Sequence, residues 1–150
     1  MPIAMMPIAM MPNPRMSIRV TVTSVAALAA ILVAGCGAPH LETVQTAKRD
    51  LIGRDVAVLS RCIGEPMTVQ ERDGAPTAAT HLYSSAQARG IDGRLLAAPA
   101  PDADANARAC VFAFIAEDGR IVSAQSENRA GWGFGSIKNC SAVVERCMRD

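Results

Sequence analysis

Residues 110–127 of the chain read CVFAFIAEDGRIVSAQSE, and this stretch predicts the fold. An apolar run over residues 110–116 is followed by Asp118-Gly119 and then by a second run over residues 121–127. A two-residue Asp-Gly loop between two such runs is typical of a β-hairpin with a type I′ turn. The sequence therefore predicts two antiparallel strands near the end of the chain.

The hairpin tip also predicts which side chains face each other across the two strands. The expected pairs are Glu117 with Arg120, Ile115 with Val122, Phe114 with Ser123 and Phe112 with Gln125. Because side chains alternate along a strand, Cys110, Phe112 and Phe114 point one way, and Val111, Ala113 and Ile115 point the other way. The first strand is apolar on both faces, which predicts a central position in its sheet.

The segments on either side of the hairpin predict the remaining elements. Apolar residues recur at spacings of three and four in a helix over residues 41–51, and a second helix over 55–63 ends at Gly64. Residues 80–84 alternate as a short strand, residues 85–109 form a long surface loop that is mobile in part, and residues 141–148 form a terminal helix. This order predicts an α+β fold with two helices packed on a three-stranded antiparallel sheet and a short C-terminal helix stapled by disulfides.

The start of the chain has the organisation of an export signal. Arg15 and Arg19 precede an apolar segment of about 14 residues, which is shorter than the roughly 20 that a membrane span needs. The segment ends at Val33-Ala34-Gly35-Cys36, which resembles the lipobox of bacterial lipoproteins. The resemblance implies cleavage before Cys36 and lipidation of its thiol, and we expect attachment to the outer membrane on its periplasmic side.

The domain organisation follows from this signal. Residues 1–35 are predicted to be a signal peptide, residues 36–40 a lipidated tether and residues 41–150 a single α+β domain. Residues 1–10 repeat a five-residue unit, so translation is expected to begin at Met16. Cleavage leaves 150 − 35 = 115 residues with 13 basic and 14 acidic side chains. A nearly neutral surface with few aromatic residues argues against nucleic acid as a partner.

Four cysteines remain after Cys36, namely Cys62, Cys110, Cys140 and Cys147. An even number in an exported chain predicts two disulfides, for which three pairings exist. The return strand of the hairpin brings the chain back beside Cys110, which favours a Cys110–Cys140 bond and leaves Cys62 to pair with Cys147. The absence of a Cys-x-x-Cys motif argues against a redox-active dithiol.

The sequence contains no convincing metal or catalytic constellation. His40 and His81 have no second ligand nearby, and Asp102-x-Asp104-x-Asn106 opens like a calcium loop but lacks its glycine and its final glutamate. The glycines of residues 131–135 do not match a phosphate-binding loop. We therefore expect no metal, no cofactor, no nucleotide and no enzymatic activity.

Three pieces of the chain together resemble a known family. They are Gly53 with the helix ending Cys62-Ile63-Gly64-Glu65-Pro66, the strand around Tyr83, and Phe114-x-x-x-Asp118-Gly119-Arg120-Ile121-Val122. This pattern is similar to small outer-membrane lipoprotein domains of the BamE/SmpA/OmlA type. The resemblance implies the two-helix, three-strand fold and a role as an accessory of outer-membrane protein assembly. Ile63 departs from the leucine that is usual before the glycine.

The expected partners are the membrane, through the lipid anchor, and a protein of the cell envelope. Tyr83, Trp132 and Phe134 are the predicted contact residues, because exposed aromatic side chains dominate many protein interfaces. The alternative for Trp132 and Phe134 is burial, in which they would cap the sheet. The alternative function is a periplasmic inhibitor or ligand-binding lipoprotein. A protruding Trp132 loop would favour the inhibitor, whereas a packed loop would leave the sheet edge as the contact surface.

Overall fold

The computed structural model describes residues 38–72, 74–131 and 133–149. Within them the order of elements is α1 (Ala38–Leu51), α2 (Ala57–Cys62), β1 (Thr68–Arg72), β2 (Ala75–Ser84), α3 (Ala103–Ala107), β3 (Cys110–Glu117), β4 (Arg120–Asn128) and α4 (Phe134–Val144), followed by a 3₁₀ helix, Glu145–Met148. The predicted signal peptide and Cys36 lie outside the described residues. The α+β class is confirmed.

The predicted hairpin is present as β3 and β4. Asp118 and Gly119 form its tip with φ values of 48° and 77°, the left-handed conformations that a type I′ turn requires. Glu117 faces Arg120 as predicted, but the register then shifts because Val122 bulges out of β4. As a result Ile115 faces Ser123, Phe114 faces Ala124 and Phe112 faces Ser126, so those three predicted pairs are wrong by one residue.

Despite the bulge, the side chains of β3 lie on the predicted faces of the sheet. Cys110, Phe112 and Phe114 are at most 1% exposed, whereas Ala113 and Ile115 on the other face are half-buried. β3 lies between β2 and β4, so the predicted central position is confirmed.

The sheet has four strands in the order β1-β2-β3-β4, all antiparallel, and the predicted count of three is wrong. Gly74, with φ of 76°, reverses the chain so that Thr68–Arg72 pairs with residues 75–82 of β2. Every residue of β1 is exposed, so this edge strand has no alternation of buried and exposed residues. β2 accordingly starts five residues before the predicted strand.

The predicted count of two packed helices is only partly matched, because the described residues form four α-helices and α4 also contributes buried side chains to the core. α1 buries Val44, Ala47 and Leu51, and α2 buries Val58, Leu59 and Cys62. These side chains meet the helix-facing side of β3, which gives one core around Phe112 and Phe114. α1 begins at Ala38, inside the residues assigned to the tether, so the helical domain starts closer to Cys36 than predicted.

The segment of residues 85–109 is more structured than the predicted surface loop. Leu95 is 1% exposed and forms an isolated bridge with Gly64. The short helix α3 follows, and the Asp102 carboxylate caps it by accepting hydrogen bonds from the N–H groups of Asp104 and Ala105. Asp102 and Asp104 thus belong to a helix start rather than to an ion-binding loop.

The C-terminal helix is joined to the rest of the domain by two disulfides, Cys62–Cys147 and Cys110–Cys140, with Cα–Cα distances of 4.9 Å and 5.2 Å. This is the pairing that the path of the chain predicts. α4 begins at Phe134, seven residues before the predicted helix, so Cys140 lies inside it. Cys147 lies in the 3₁₀ helix, beside the end of α2.

Candidate interaction surface

A groove of about 210 Å³ lies between α1, β4 and α4. One wall is α1, the floor is the helix-facing side of β4 and the other wall is the first half of α4. The groove is lined by Leu41, Val44, Gln45, Lys48, Ser126, Asn128, Ile137 and Cys140. Because these residues recur every three or four positions along α1, one face of that helix supplies half of the lining.

The groove changes character along α1. Leu41, in the first turns of the helix, is 41% exposed and borders the groove together with the partly buried Ile137. Lys48 lies seven residues further on, and its Nζ donates a hydrogen bond to Ser126 Oγ at 3.4 Å. Seven residues correspond to about 10 Å along a helix. The groove is thus apolar near the start of α1 and cationic further along it.

Asn128 contributes a polar group to the floor of the groove. Its Nδ2 donates hydrogen bonds to the Gly131 carbonyl at 2.8 Å and to Ser136 Oγ at 2.9 Å, which fixes the orientation of the amide because a carbonyl can only accept. Its Oδ1 is buried and has no hydrogen-bond partner among the described residues. A buried oxygen without a partner would be stabilised by an N–H or O–H group that donates to it.

His40 connects the start of α1 to α4. Its Nδ1 lies 2.9 Å from Ser141 Oγ, and the Ser141 hydroxyl itself donates to the Lys138 carbonyl at 2.9 Å. The imidazole therefore donates to the serine oxygen. Ser141 is 2% exposed, so this histidine–serine pair joins two helices rather than presenting a nucleophile to a substrate. His40 thus lies in a helix and not in a solvated tether.

Tyr83 is a core residue, and its predicted role as a partner contact is not compatible with this location. The side chain is 1% exposed, and its ring packs edge-on against Phe114 with centroids 5.9 Å apart. Tyr83 faces Phe112 across β2 and β3, which puts it on the helix-covered side of the sheet. Burial raises the pKa of the phenol far above its ordinary value.

The remaining site predictions concern residues whose side chains are not among those described. Trp132, the side chain of Phe134 and the lipidation residue Cys36 lie outside the described residues. The backbone of Phe134 begins α4 directly after the N-cap residue Gly133. The contact roles of Trp132 and Phe134 therefore stay predictions.

The sheet face away from the two helices is a second surface. Leu82, Ala113 and Gln125 face one another across β2, β3 and β4 and form its central row. A depression of about 200 Å³ in this face, also lined by Glu127 and Arg129, carries an ion pair between these last two residues at 3.0 Å. We call this surface the open face.

The titratable groups outside the groove are dispersed. Burial lowers the pKa of His81, which is half-buried beside Phe114. Hydrogen bonds from the backbone and side chain of Arg94 lower the pKa of the exposed Asp92 carboxyl. No group of three or more His, Cys, Asp or Glu residues able to hold a metal ion occurs within the part of the chain that the structure describes.

The groove is a site that the sequence alone does not reveal. Leu41 and Val44 are predicted to belong to one helix face, but their exposure depends on how far α4 covers that face. Because α4 begins earlier than expected, Ile137 becomes the opposite wall. Only the three-dimensional arrangement brings these residues together with Asn128.

Comparison with known proteins gave no match: no family model, no curated protein and no solved structure is significantly similar to this chain. Across residues 38–72, 74–131 and 133–149, no helix is both long enough and apolar enough to span a membrane.

Proposed function

We propose that the protein is an exported lipoprotein whose single α+β domain acts by binding other components of the cell envelope. In this proposal Cys36 carries the lipid, the domain lies on the periplasmic side of the outer membrane, and the activity is recognition rather than catalysis. The observation that carries the proposal is the pair of disulfides, Cys62–Cys147 and Cys110–Cys140, which joins distant parts of the described domain.

The two disulfides support the proposal that the domain resides in an oxidising compartment. All four cysteines after Cys36 are paired, and each bond joins elements that are distant in sequence, with separations of 85 and 30 residues. Such bonds persist in the periplasm and are rare in the reducing cytoplasm. The domain of about 115 residues has a modest core, and disulfides compensate for that in small exported domains.

Two surfaces support recognition as the activity. The groove beside α1 is apolar near the start of the helix and cationic further along it, and the open face has a row formed by Leu82, Ala113 and Gln125. Both combine apolar area with a few polar groups, which is the composition of many non-obligate interfaces.

The resemblance to BamE/SmpA/OmlA-type domains suggests the kind of partner. We infer an accessory role beside the machinery that assembles outer-membrane proteins. The coarse architecture, helices on one face of an antiparallel sheet, is compatible with that family, while the fourth strand is an addition to its pattern.

The proposal is tested by purifying the full chain with a C-terminal tag from gently solubilised envelopes and identifying bound proteins by mass spectrometry. Recovery of barrel-assembly components in near-stoichiometric amounts supports the assembly role. Recovery of a soluble periplasmic enzyme supports the inhibitor alternative instead, and recovery of neither contradicts both. A Cys36→Ala variant is the control for the anchor, because it removes the thiol and leaves the folded domain unchanged.

Two matched substitutions then identify the surface that is used. Gln45 lines the groove and Gln125 lies on the open face, and neither side chain is fully buried. Gln45→Lys and Gln125→Lys introduce the same charge at two places. A partner that is lost with only one of them binds at that surface.

A further inference from the structure

The first turns of α1 have an exposed apolar side chain close to the proposed lipid anchor. Leu41 is 41% exposed and forms the rim of the groove with Ile137. We propose that this rim rests in the interfacial layer of the membrane, so that lipid covers Leu41 and Ile137. The inference rests on the proposed lipidation of Cys36 and adds an orientation of the domain on the membrane.

The short connection between Cys36 and α1 limits the distance. Two residues span at most about 7 Å, and the helix rises about 1.5 Å for each further residue. Leu41 Cα therefore lies within about 12 Å of Cys36 Cα. The polar layer of a bilayer is about 5 to 7 Å thick on each side, so a domain attached at Cys36 has the first turns of α1 at or next to this layer.

The direction of the side chains adds to this argument. In an α-helix the Cα–Cβ bonds tilt towards the N-terminus, so the Leu41 side chain points back towards the anchored end. An apolar side chain that reaches the headgroup and acyl boundary is stabilised there in proportion to the area it buries. Lys48, further along α1, is kept in the polar layer or above it, where its ammonium group stays hydrated.

The opposite end of α1 offers an internal comparison. Ile52 follows the helix directly and is 50% exposed, which is similar to Leu41. It lies about 15 Å further from the anchor along the helix axis. If the anchored end of the domain faces the bilayer, lipid covers position 41 and leaves position 52 in water.

The test uses tryptophan as a depth probe in the full, processed chain. Leu41→Trp and Ile52→Trp are prepared in a Trp132→Phe background, and the purified proteins are reconstituted into phosphatidylcholine vesicles with or without brominated acyl chains. We expect bromine to reduce the fluorescence of the position-41 probe by about twofold and that of the position-52 probe by less than about a tenth. If Trp132→Phe impairs folding, the same comparison is made with Trp132 retained and the parent signal subtracted.

The outcomes separate this inference from the proposed function. The mass of the N-terminal peptide reports whether Cys36 is lipidated. An unmodified Cys36 overturns both the anchor and the orientation. A lipidated Cys36 with equal quenching at positions 41 and 52 leaves the anchor standing and overturns the orientation.

Discussion

Gly64 and Leu95 lie in direct backbone contact, and this contact fixes the long segment between β2 and β3. The Leu95 N–H donates to the Ile63 carbonyl at 2.8 Å, and the Glu65 N–H donates to the Leu95 carbonyl at 2.9 Å. A Cβ atom at Gly64 would lie 2.6 Å from the Leu95 nitrogen. Gly64 also has φ of 120°, a conformation that side chains disfavour.

Substitution of this glycine is therefore expected to be costly. Gly64→Ala combines backbone strain with a clash against the Leu95 backbone, and we expect a loss of about 3 kcal/mol or more in the free energy of unfolding. Gly119→Ala is the matched control, because Gly119 has φ of 77° with open space around it, and it should lose about 1 to 2 kcal/mol. Urea denaturation of the oxidised proteins measures both, and equal losses would show that the Leu95 contact is unimportant.

Gln87 is the second anchor of the same segment. It is 4% exposed; its Oε1 accepts from the Ser84 N–H at 2.8 Å, and its Nε2 donates to the carbonyls of Glu65 and Leu96 at 3.0 Å and 2.9 Å. Gln87→Glu keeps the shape but removes both donors, which leaves two carbonyls facing a carboxylate. We expect a loss of about 2 to 4 kcal/mol in the free energy of unfolding near neutral pH.

This loss should depend on pH in a defined direction. Protonation of the carboxyl introduced by Gln87→Glu restores one donor, so the folded-state pKa of that carboxyl is raised above its unfolded value. Stability is therefore regained as the pH falls from neutral to mildly acidic values. Gln45→Glu, at an exposed position of α1, is the control and should change little. A Gln87→Glu variant as stable as the parent near neutral pH would refute the anchoring role.

The parts of the fold that the sequence predicts correctly depend on strong local or topological signals. An Asp-Gly pair between two apolar runs is compatible with few structures other than a tight turn between two strands. Both strands, and the buried face with Phe112 and Phe114, are confirmed. The pairing of Cys110 with Cys140 follows because the return strand ends beside Cys110.

The parts that it misses have weaker or mixed signals, since Asp73-Gly74 indicates a turn after residues 68–71 but no apolar run precedes it. β1 is exposed along its whole length, so no alternation marks it as a strand, and the Val122 bulge shifts the register without any proline or glycine. The segment of residues 85–109 is rich in alanine, proline and aspartate, which hides the buried Leu95. Tyr83 is an aromatic residue on a short strand, which is compatible with an exposed contact, but its register against Phe112 puts it in the core.

The two disulfides should contribute unequally to stability. Loop-closure entropy gives about 4.6 kcal/mol for the 85-residue separation of Cys62 and Cys147, and about 3.6 kcal/mol for the 30-residue separation of Cys110 and Cys140. We expect the double variant Cys62→Ser, Cys147→Ser to unfold at lower urea concentration than Cys110→Ser, Cys140→Ser. The reverse order would mean that strain or residual structure outweighs the loop length.

His81 should make the stability of the domain depend on pH. The imidazole is half-buried on β2, between Val69 of β1 and Phe114 of β3 in the register of the sheet, and burial lowers its pKa below 6.5 because the charged form loses hydration. In the interval between the lowered folded pKa and 6.5 the unfolded chain binds more protons than the folded one. Stability from this group is therefore complete above pH 6.5 and is lost as the pH falls through the folded pKa.

His81→Gln removes this contribution while keeping a polar side chain of similar size. The other titratable groups are the same in both proteins, so their effects cancel in the difference between the two free energies of unfolding. We expect the advantage of the parent over His81→Gln to shrink steadily as the pH falls from about one unit above 6.5 to about one and a half units below it, as measured by urea denaturation at fixed ionic strength. Parallel pH profiles would show that His81 keeps its ordinary pKa and that the edge of the core beside Phe114 admits water.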